Sequence, residues 1–485
     1  MRKALAMILA LMMLLALAAC GSATAQTNTD TQKPAPQEGT PVAEEPTPAT
    51  EETTEEATNT VNVTFDYNYD GAPESLVIEV EAGSVIQPFD GETVNTAPET
   101  PTREGYRFAG WDTEKEPTLE NGYSTTAWPI GDYFLSYYAM FGDMSEAKDE
   151  HVRPQTDVTL FARWVEKTMI SDADELFGMR EDLAGWYELA EDIDLTGYTW
   201  CPVGTYRSNY EWMNQPWWLE AFRGKFDGAG HVIKGLTLDT TEFYDVAQNP
   251  DNALRNGCAG FFGAAADGAE ICNVTLTNVS VQITGMTSYN YIAPLIAFVE
   301  GCNITDCHVI DLDYRVTVLD NDTGNGMYTS LGGLVSGIWA GEISECSVQG
   351  SMVVELISNN YHIGDNFIGG LVGDGYTSIN NNTADVSITI KYKNNCIDSY
   401  ENPGEIPTGM ELIYATGWQK ILAGGLAGQI NAAIDCVSSG DVSIIVESEI
   451  DNTALIADPL CGVILTPGEE GMQGSSATGT LNIWQ

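Results

Sequence analysis

Apolar residues follow two rhythms along this chain. From residue 61 the stretch VNVTFDYNYDG alternates apolar and polar positions and then turns, and SLVIEVEAGSVI alternates again. Period-two alternation interrupted by Asn, Asp and Gly predicts a hairpin, and DVTLFARWV (157–165) predicts a third strand. Beyond residue 170 the rhythm changes. Short glycine-rich apolar runs begin at residues 259, 293, 332, 369 and 424, with a weaker one at 459, so they are spaced by 34, 39, 37, 55 and 35 residues. Self-similarity with a period in the thirties indicates stacked repeats. In LGGLVSGIWAGEISECSVQGSM (331–352), Gly332 and Gly333 allow a tight bend while Leu334 and Val335 feed a core.

A second register follows each run: an apolar residue, then a small residue three positions on, then a turn former. It reads Ile304/Cys307/Asp311, Ile343/Cys346/Gly350, Ala433/Cys436/Gly440 and Met472/Ser475/Gly479. Ile271/Val274/Asn278 fill these places in the first unit, and Ile379/Asn382/Val386 in the fourth, where the turn former is lost. Gly, Asn and Asp tolerate positive φ, so the last column predicts one turn per coil. The middle column predicts small inward side chains stacked about 4.8 Å apart in a parallel ladder, with buried Cys acting as a small hydrophobe. No ten-residue segment here sustains a 3.6-residue period. The pattern therefore predicts an all-β chain, with a right-handed parallel β-helix over residues 168–485. Ser171 and Asp172 suit an N-cap for ADELFGMRED (173–182), a short amphipathic helix placed to cover the first coil.

Charge narrows the partners. There are 70 Asp+Glu against 20 Lys+Arg, a formal net charge of -50. Residues 168–485 hold only ten basic residues, never three together. Nucleic acid and long polyanions are disfavoured, since they require clustered cations.

The N-terminus reads as an export signal: Arg2 and Lys3, then an apolar stretch ending in Leu17-Ala18-Ala19-Cys20-Gly21. This resembles the bacterial lipoprotein lipobox, which implies cleavage before Cys20 and a lipid on its sulfur, with the membrane as partner. An ordinary secretory signal with an incidental Cys is the alternative. Residues 21–60 have no aromatic residue, one Lys and eight acids among Thr, Pro and Ala, the composition of a disordered tether. Nine cysteines remain after Cys20, an odd number without metal-ligand spacing, so no disulfide framework or metal site is indicated.

The sequences PTREGYRFAGWDT (101–113) and TLFARW (159–164), in this order after the first strand, resemble the Listeria–Bacteroides repeat of bacterial surface proteins. The resemblance implies a small β-grasp domain over residues 61–167. Its connection at 114–156 is longer than the family's and holds Trp128, Tyr133, Phe134, Tyr137, Tyr138 and Phe141. Such a loop either binds a ligand or folds back as a cover. The segments WYELAEDIDLTGYTWCPVG and FRGKFDGAGHVIKGLTL, with the GGLVG-like runs after them, resemble GLUG motifs and the N-terminal region of the immunoglobulin A protease family.

Candidate chemistry is thin. The four histidines, His151, His231, His308 and His362, form no HExxH motif. Asp66-x-Asn68-x-Asp70-Gly71 opens like a calcium loop, but Val77 stands where a bidentate Glu belongs, so a hairpin turn is expected. Because β-helices also carry glycan-cleaving enzymes, Asp227, Asp311, Asp313, Asp320, Asp322, Asp365 and Asp374 are candidate acids, among too many acids to discriminate. Asp320 and Asp322 also suit a calcium loop, or simply a polar one. Exposed aromatic clusters suit sugars or partner proteins. The residues singled out for binding are Tyr206, Tyr210, Trp212, Trp217 and Trp218, with Trp128 and Tyr137. Sealing of the first coil is the competing role for the first group. The sequence thus points to a lipid-anchored, extracytoplasmic, non-enzymatic protein presenting loops to a glycan or a cell-surface protein, with no cofactor. A glycan-cleaving β-helix is the alternative. Function is expected in the inserts at 207–219 and 391–420, which interrupt the repeat.

Overall fold

The computed structural model describes residues 59–120, 123–124, 126–128, 130, 153–205, 221–239, 258–266, 268–285, 289–320, 328–358, 364–394, 419–447, 455–466 and 469–484. Almost all regular structure among them is β, and the single described α-helix is Ala173–Gly178. The N-terminal hairpin pairs Thr60–Asp66 antiparallel with Leu76–Glu81. Asp66 Oδ1 accepts from the Asn68 backbone N–H at 2.8 Å, and Asn68 and Gly71 have φ of 57° and 81°. The Asn68 side chain donates to the carbonyls of Lys115 and Ala162, both at 3.1 Å. The segment is the expected hairpin turn.

One strand joins this module to the rest. Val158–Ile170 pairs parallel with Thr60–Asp66 through its first residues and parallel with Trp186–Leu189 through its last. Tyr106–Asp112 lies antiparallel on its other side. Arg107, on that strand, donates to the carbonyls of Ala184 (3.3 Å), Arg223 (3.0 Å) and Gly268 (2.9 Å) in the first coils of the repeat region. The two modules therefore share a continuous sheet with a guanidinium clamp beside it.

The repeat region is a stack of coils with four walls, each wall a parallel sheet. The coil through residues 331–352 has Tyr328–Gly332 in wall one, Val335–Ile338 in wall two, Gly341–Ser344 in wall three and Ser347–Ser358 in wall four. The next coil repeats this with Gly364–Gly369, Val372–Gly375, Ser378–Asn380 and Thr383–Asn394. Register places like on like: Leu331 beside Ile368, Val335 beside Val372, Ile343 beside Ile379 and Val354 beside Ile390. All eight side chains are buried in one core. This is the stacking of a parallel β-helix.

Helix Ala173–Gly178 covers the N-terminal end. The Asp172 carboxylate accepts from Glu175 N–H at 2.9 Å, and Glu175 reaches back to Ser171 N–H at 2.8 Å. Leu176 and Met179 are fully buried beneath. Trp200 stacks on Phe261 at 4.5 Å between ring centroids and donates to its carbonyl at 3.1 Å. Trp200 and Phe222 thus seal the first coils.

The turn between walls three and four sits one residue before the expected Cys column. Asn273, Asp306, Glu345, Asn381, Asp435 and Gly474 all have positive φ, between 50° and 68°. One left-handed residue per coil turns the chain, at positions where Asn, Asp and Gly bear the conformation most cheaply. The column expected to make the turn instead lies in wall four, inside the strands in the first four coils and between two short strands at Gly440 and Gly479. There Asn278, Asp311 and Gly350 have positive φ, and the register shifts between Val309 and Leu312. In the later coils Gly440 and Gly479 serve close approach: an added Cβ would lie 1.9 Å and 2.0 Å from the carbonyls of Val386 and Gly440.

The turn leaves the next N–H without a sheet partner, and the Cys column supplies one. Cys307 N–H donates to Cys346 Sγ (3.4 Å), Cys346 N–H to Asn382 Oδ1 (2.8 Å), Asn382 N–H to Cys436 Sγ (3.5 Å) and Cys436 N–H to Ser475 Oγ (2.9 Å). In the other direction Asn382 and Ser475 donate to the carbonyls of Ile343 (3.0 Å) and Ala433 (2.9 Å). Burial pushes the Cys307 and Cys436 thiols up, which keeps them protonated as donors. The column is therefore a polar ladder as well as small packing, which explains why Asn and Ser substitute in it. Cys346→Val strands a buried N–H and is expected to cost about 1–3 kcal/mol. Cys346→Ser keeps donor and acceptor and is expected to lose less. Equal loss of the urea midpoint in both variants would refute the polar role.

Candidate functional site

Most residues singled out for binding lie outside the described residues: Cys20, Tyr137, Tyr206, Tyr210, Trp212, Trp217 and Trp218. So do residues 207–219 and 395–418, while residues 391–394 and 419–420 belong to regular wall strands. Trp128 is placed inward, 9% exposed, in the core of the N-terminal module opposite Trp111. Its ring is committed to packing, with little left for a ligand.

The candidate acids are dispersed. Asp227 accepts from the Asn273 amide at 2.8 Å and from Ala229 N–H at 2.9 Å, fixing a turn. Asp313 pairs with Arg315 at 3.0 Å. His231 pairs with Asp192 at 3.2 Å. Among the described residues, no three His, Cys, Asp or Glu side chains form a group suited to a metal ion.

One acid is unusual. Asp374 in wall two is fully buried, takes a hydrogen bond from the Tyr328 hydroxyl on Oδ2, and takes one from Gln429 Nε2 at 2.9 Å on Oδ1. Burial pushes its carboxyl up to about 6, against the opposing effect of those two bonds. The Tyr328 ring packs on Tyr291 and Phe367, at 5.6 and 5.3 Å between centroids. Asp365, half exposed and 3.7 Å from Lys420 Nζ, adds a second carboxylate to the neighbourhood. The arrangement bridges three coils, and both of its oxygens are in use.

A second constellation lies in the N-terminal module. Strand Tyr106–Asp112 changes register between Phe108 and Trp111, where Gly110 has a φ of 110°. The irregularity breaks alternation, so the consecutive residues Trp111 and Asp112 are both buried. Asp112 Oδ1 accepts from the Thr126 hydroxyl at 2.5 Å, while Oδ2 has no hydrogen-bond partner. Asp112 lines a cavity of about 300 Å³ together with Arg103, Lys115, Arg163, Leu119 and Trp164. The Arg103 guanidinium is held over the Tyr106 ring at 3.5 Å, and Arg163 donates to the Ala109 carbonyl at 3.1 Å. Strict alternation would turn Asp112 outward after Trp111. The glycine in A-G-W-D was the sequence signal for the irregularity.

Residues 62–135 match the Listeria–Bacteroides repeat domain. The match supports the resemblance carried by the 101–113 motif and places the cavity in a surface-type repeat module. No curated protein matches the chain. A solved structure from Bacteroides ovatus, described as that of a candidate immunoglobulin A1 protease, is similar over 66% of this chain and 84% of its own. The identity is 14% and the TM-score 0.31. No described helix is long and apolar enough to cross a membrane.

Proposed function

We propose that this chain is an extracytoplasmic, lipid-anchored binding protein, without catalytic activity, whose β-helix is a rigid support for ligand-contacting surfaces. The cavity in the N-terminal module carries the reading: it is lined by Asp112, with a buried carboxylate oxygen that lacks a partner, and by Arg103, Lys115 and Arg163, in a module matched by a surface-type repeat. Strand Val158–Ile170 and the Arg107 clamp support a rigid role, because they transmit the cavity's position directly into the stack. The chain without its first 20 residues is expected to bind members of a glycan and host-matrix array; a blank array would overturn the reading. Labelling by radioactive palmitate that is lost in Cys20→Ala is the expected signature of the anchor.

A glycan-cleaving β-helix is the second reading, favoured by the elevated Asp374 with Asp365 nearby. Its own signature is release of reducing ends from a polysaccharide panel, abolished in Asp374→Asn.

A further inference from the structure

We infer that the cavity beside Asp112 is a pocket for a terminal acidic monosaccharide, one carboxylate-bearing sugar at the end of a glycan. The inference rests on the binding reading above and names its ligand class. Three of the chain's 20 basic residues, Arg103, Lys115 and Arg163, line this one cavity, in a molecule of net charge -50. Among the described residues lining it the acids are Asp112 and Glu114, so the balance there is cationic. Charges beyond about 8 Å are largely screened at physiological ionic strength, so the near cations govern the ligand.

Each part of such a sugar has a counterpart. Its carboxylate suits the guanidinium of Arg103, held over Tyr106, and the exposed Lys115. A hydroxyl suits the Asp112 carboxylate, whose Oδ2 lacks a donor; that atom is closed to solvent, so the contact requires the cavity wall to give on binding. The apolar face of the ring has Trp164 and Leu119 as walls. The volume, about 300 Å³, holds one sugar ring with its first waters and stands at the small end of ligand sites. A long polyanion is repelled by the rest of the surface, which restricts the ligand to an end group. A free amino acid satisfies the same charges but places an ammonium against Asp112 and has no ring for Trp164.

Saturation-transfer difference NMR on the chain without residues 1–20, with the methyl glycosides of glucuronic and N-acetylneuraminic acid, tests this. Glucose and glutamate serve as comparisons. The expected result is saturation transfer to an acidic glycoside, absent for glucose and glutamate and weakened at high salt. Asp112→Asn is expected to lower affinity at least about tenfold, the size of a hydrogen bond to a charged group. Lys115→Gln, at an exposed side chain, is expected to lower it about fivefold with the thermal midpoint unchanged. Equal signals for glucose, binding of glutamate instead, or unchanged affinity in both variants would each overturn the assignment. If the array above shows other ligands while these sugars do not bind, the binding reading survives and the pocket assignment does not.

Discussion

Gly333→Ala and Gly370→Ala are each expected to destabilise the stack by about 3 kcal/mol or more, because they force overpacking against backbone. A Cβ on Gly333 would lie 2.0 Å from the Gly370 carbonyl oxygen, and one on Gly370 would lie 2.1 Å from that of Gly425. Neither obstacle is the end of a flexible side chain. At this corner Leu334 N–H and Val335 N–H both donate to the Leu371 carbonyl, at 3.0 and 3.1 Å, and Leu371 and Val372 repeat the pattern on Leu426. Room for a methyl group requires adjacent coils to separate beyond the strand spacing of about 4.8 Å, which breaks these forked bonds. Since each coil contacts only its neighbours, opening is expected to spread from the substituted corner toward the C-terminal coils. Urea midpoints and amide exchange coil by coil measure both effects. Gly178→Ala is the control, since its Cβ meets nothing within 4 Å. A midpoint for Gly333→Ala matching that control would remove the close-approach account.

Period and stacking were legible in the sequence because they are properties of the side chains. Gly332, Gly333, Leu334 and Val335 fall at the corner where bend and core were expected, with Leu334 and Val335 fully buried. The Cys column was visible, but its chemistry was not. Backbone N–H groups left free by a turn are invisible until coils are stacked, and only then does Cys346, with Asn382 and Ser475 above it, become a bridging group. The turn itself was misplaced. Asp and Asn precede Cys307, Val274 and Cys436, a signal present in the sequence but overshadowed by the Asn278, Asp311 and Gly440 column four residues later.

The functional constellations were harder to read, and for a common reason. Asp374 stood among many acids, and it became distinctive only when stacking brought in Tyr328 from the coil before and Gln429 from the coil after. Asp112 was hidden by a strand irregularity that reverses the inside–outside assignment. Both depend on register, which residue type does not encode. The wall-four strands ending at Gly285, Asp320, Ser358 and Asn394 are followed by wall-one strands beginning at Tyr289, Tyr328, Gly364 and Gln419. The breaks between these coils therefore share one corner, whereas residues 207–219 fall between Val203 and Phe222, which pair with Phe262 and Ala265 of wall two. Length varies at that corner because no wall has to continue through it.

The pH dependence of stability is expected to carry the mark of Asp374. An aspartate titrates near 3.8 when free and this one at about 6 in the fold, so between those values the folded chain holds a proton that the unfolded chain has lost. Stability is then highest below the lower value and declines as pH rises through the window, by about 3 kcal/mol for a shift of about two units. Asp192, Asp194, Asp227 and Asp441 work in the opposite sense, their carboxyls lowered by hydrogen bonds, so what they contribute is lost only in more acid solution. The two effects occupy different windows, one above and one below the ordinary aspartate value. Asp374→Asn keeps the acceptor for the Tyr328 hydroxyl but cannot titrate. Its stability is expected to change between pH 4 and 6 by about 2 kcal/mol less than that of the native chain, as read from urea unfolding at each pH. The difference between the two curves isolates this one carboxylate, because the other acids are common to both. Parallel curves across that window would mean that Asp374 stays ionised at the centre of the stack, held by Tyr328 and Gln429 against burial.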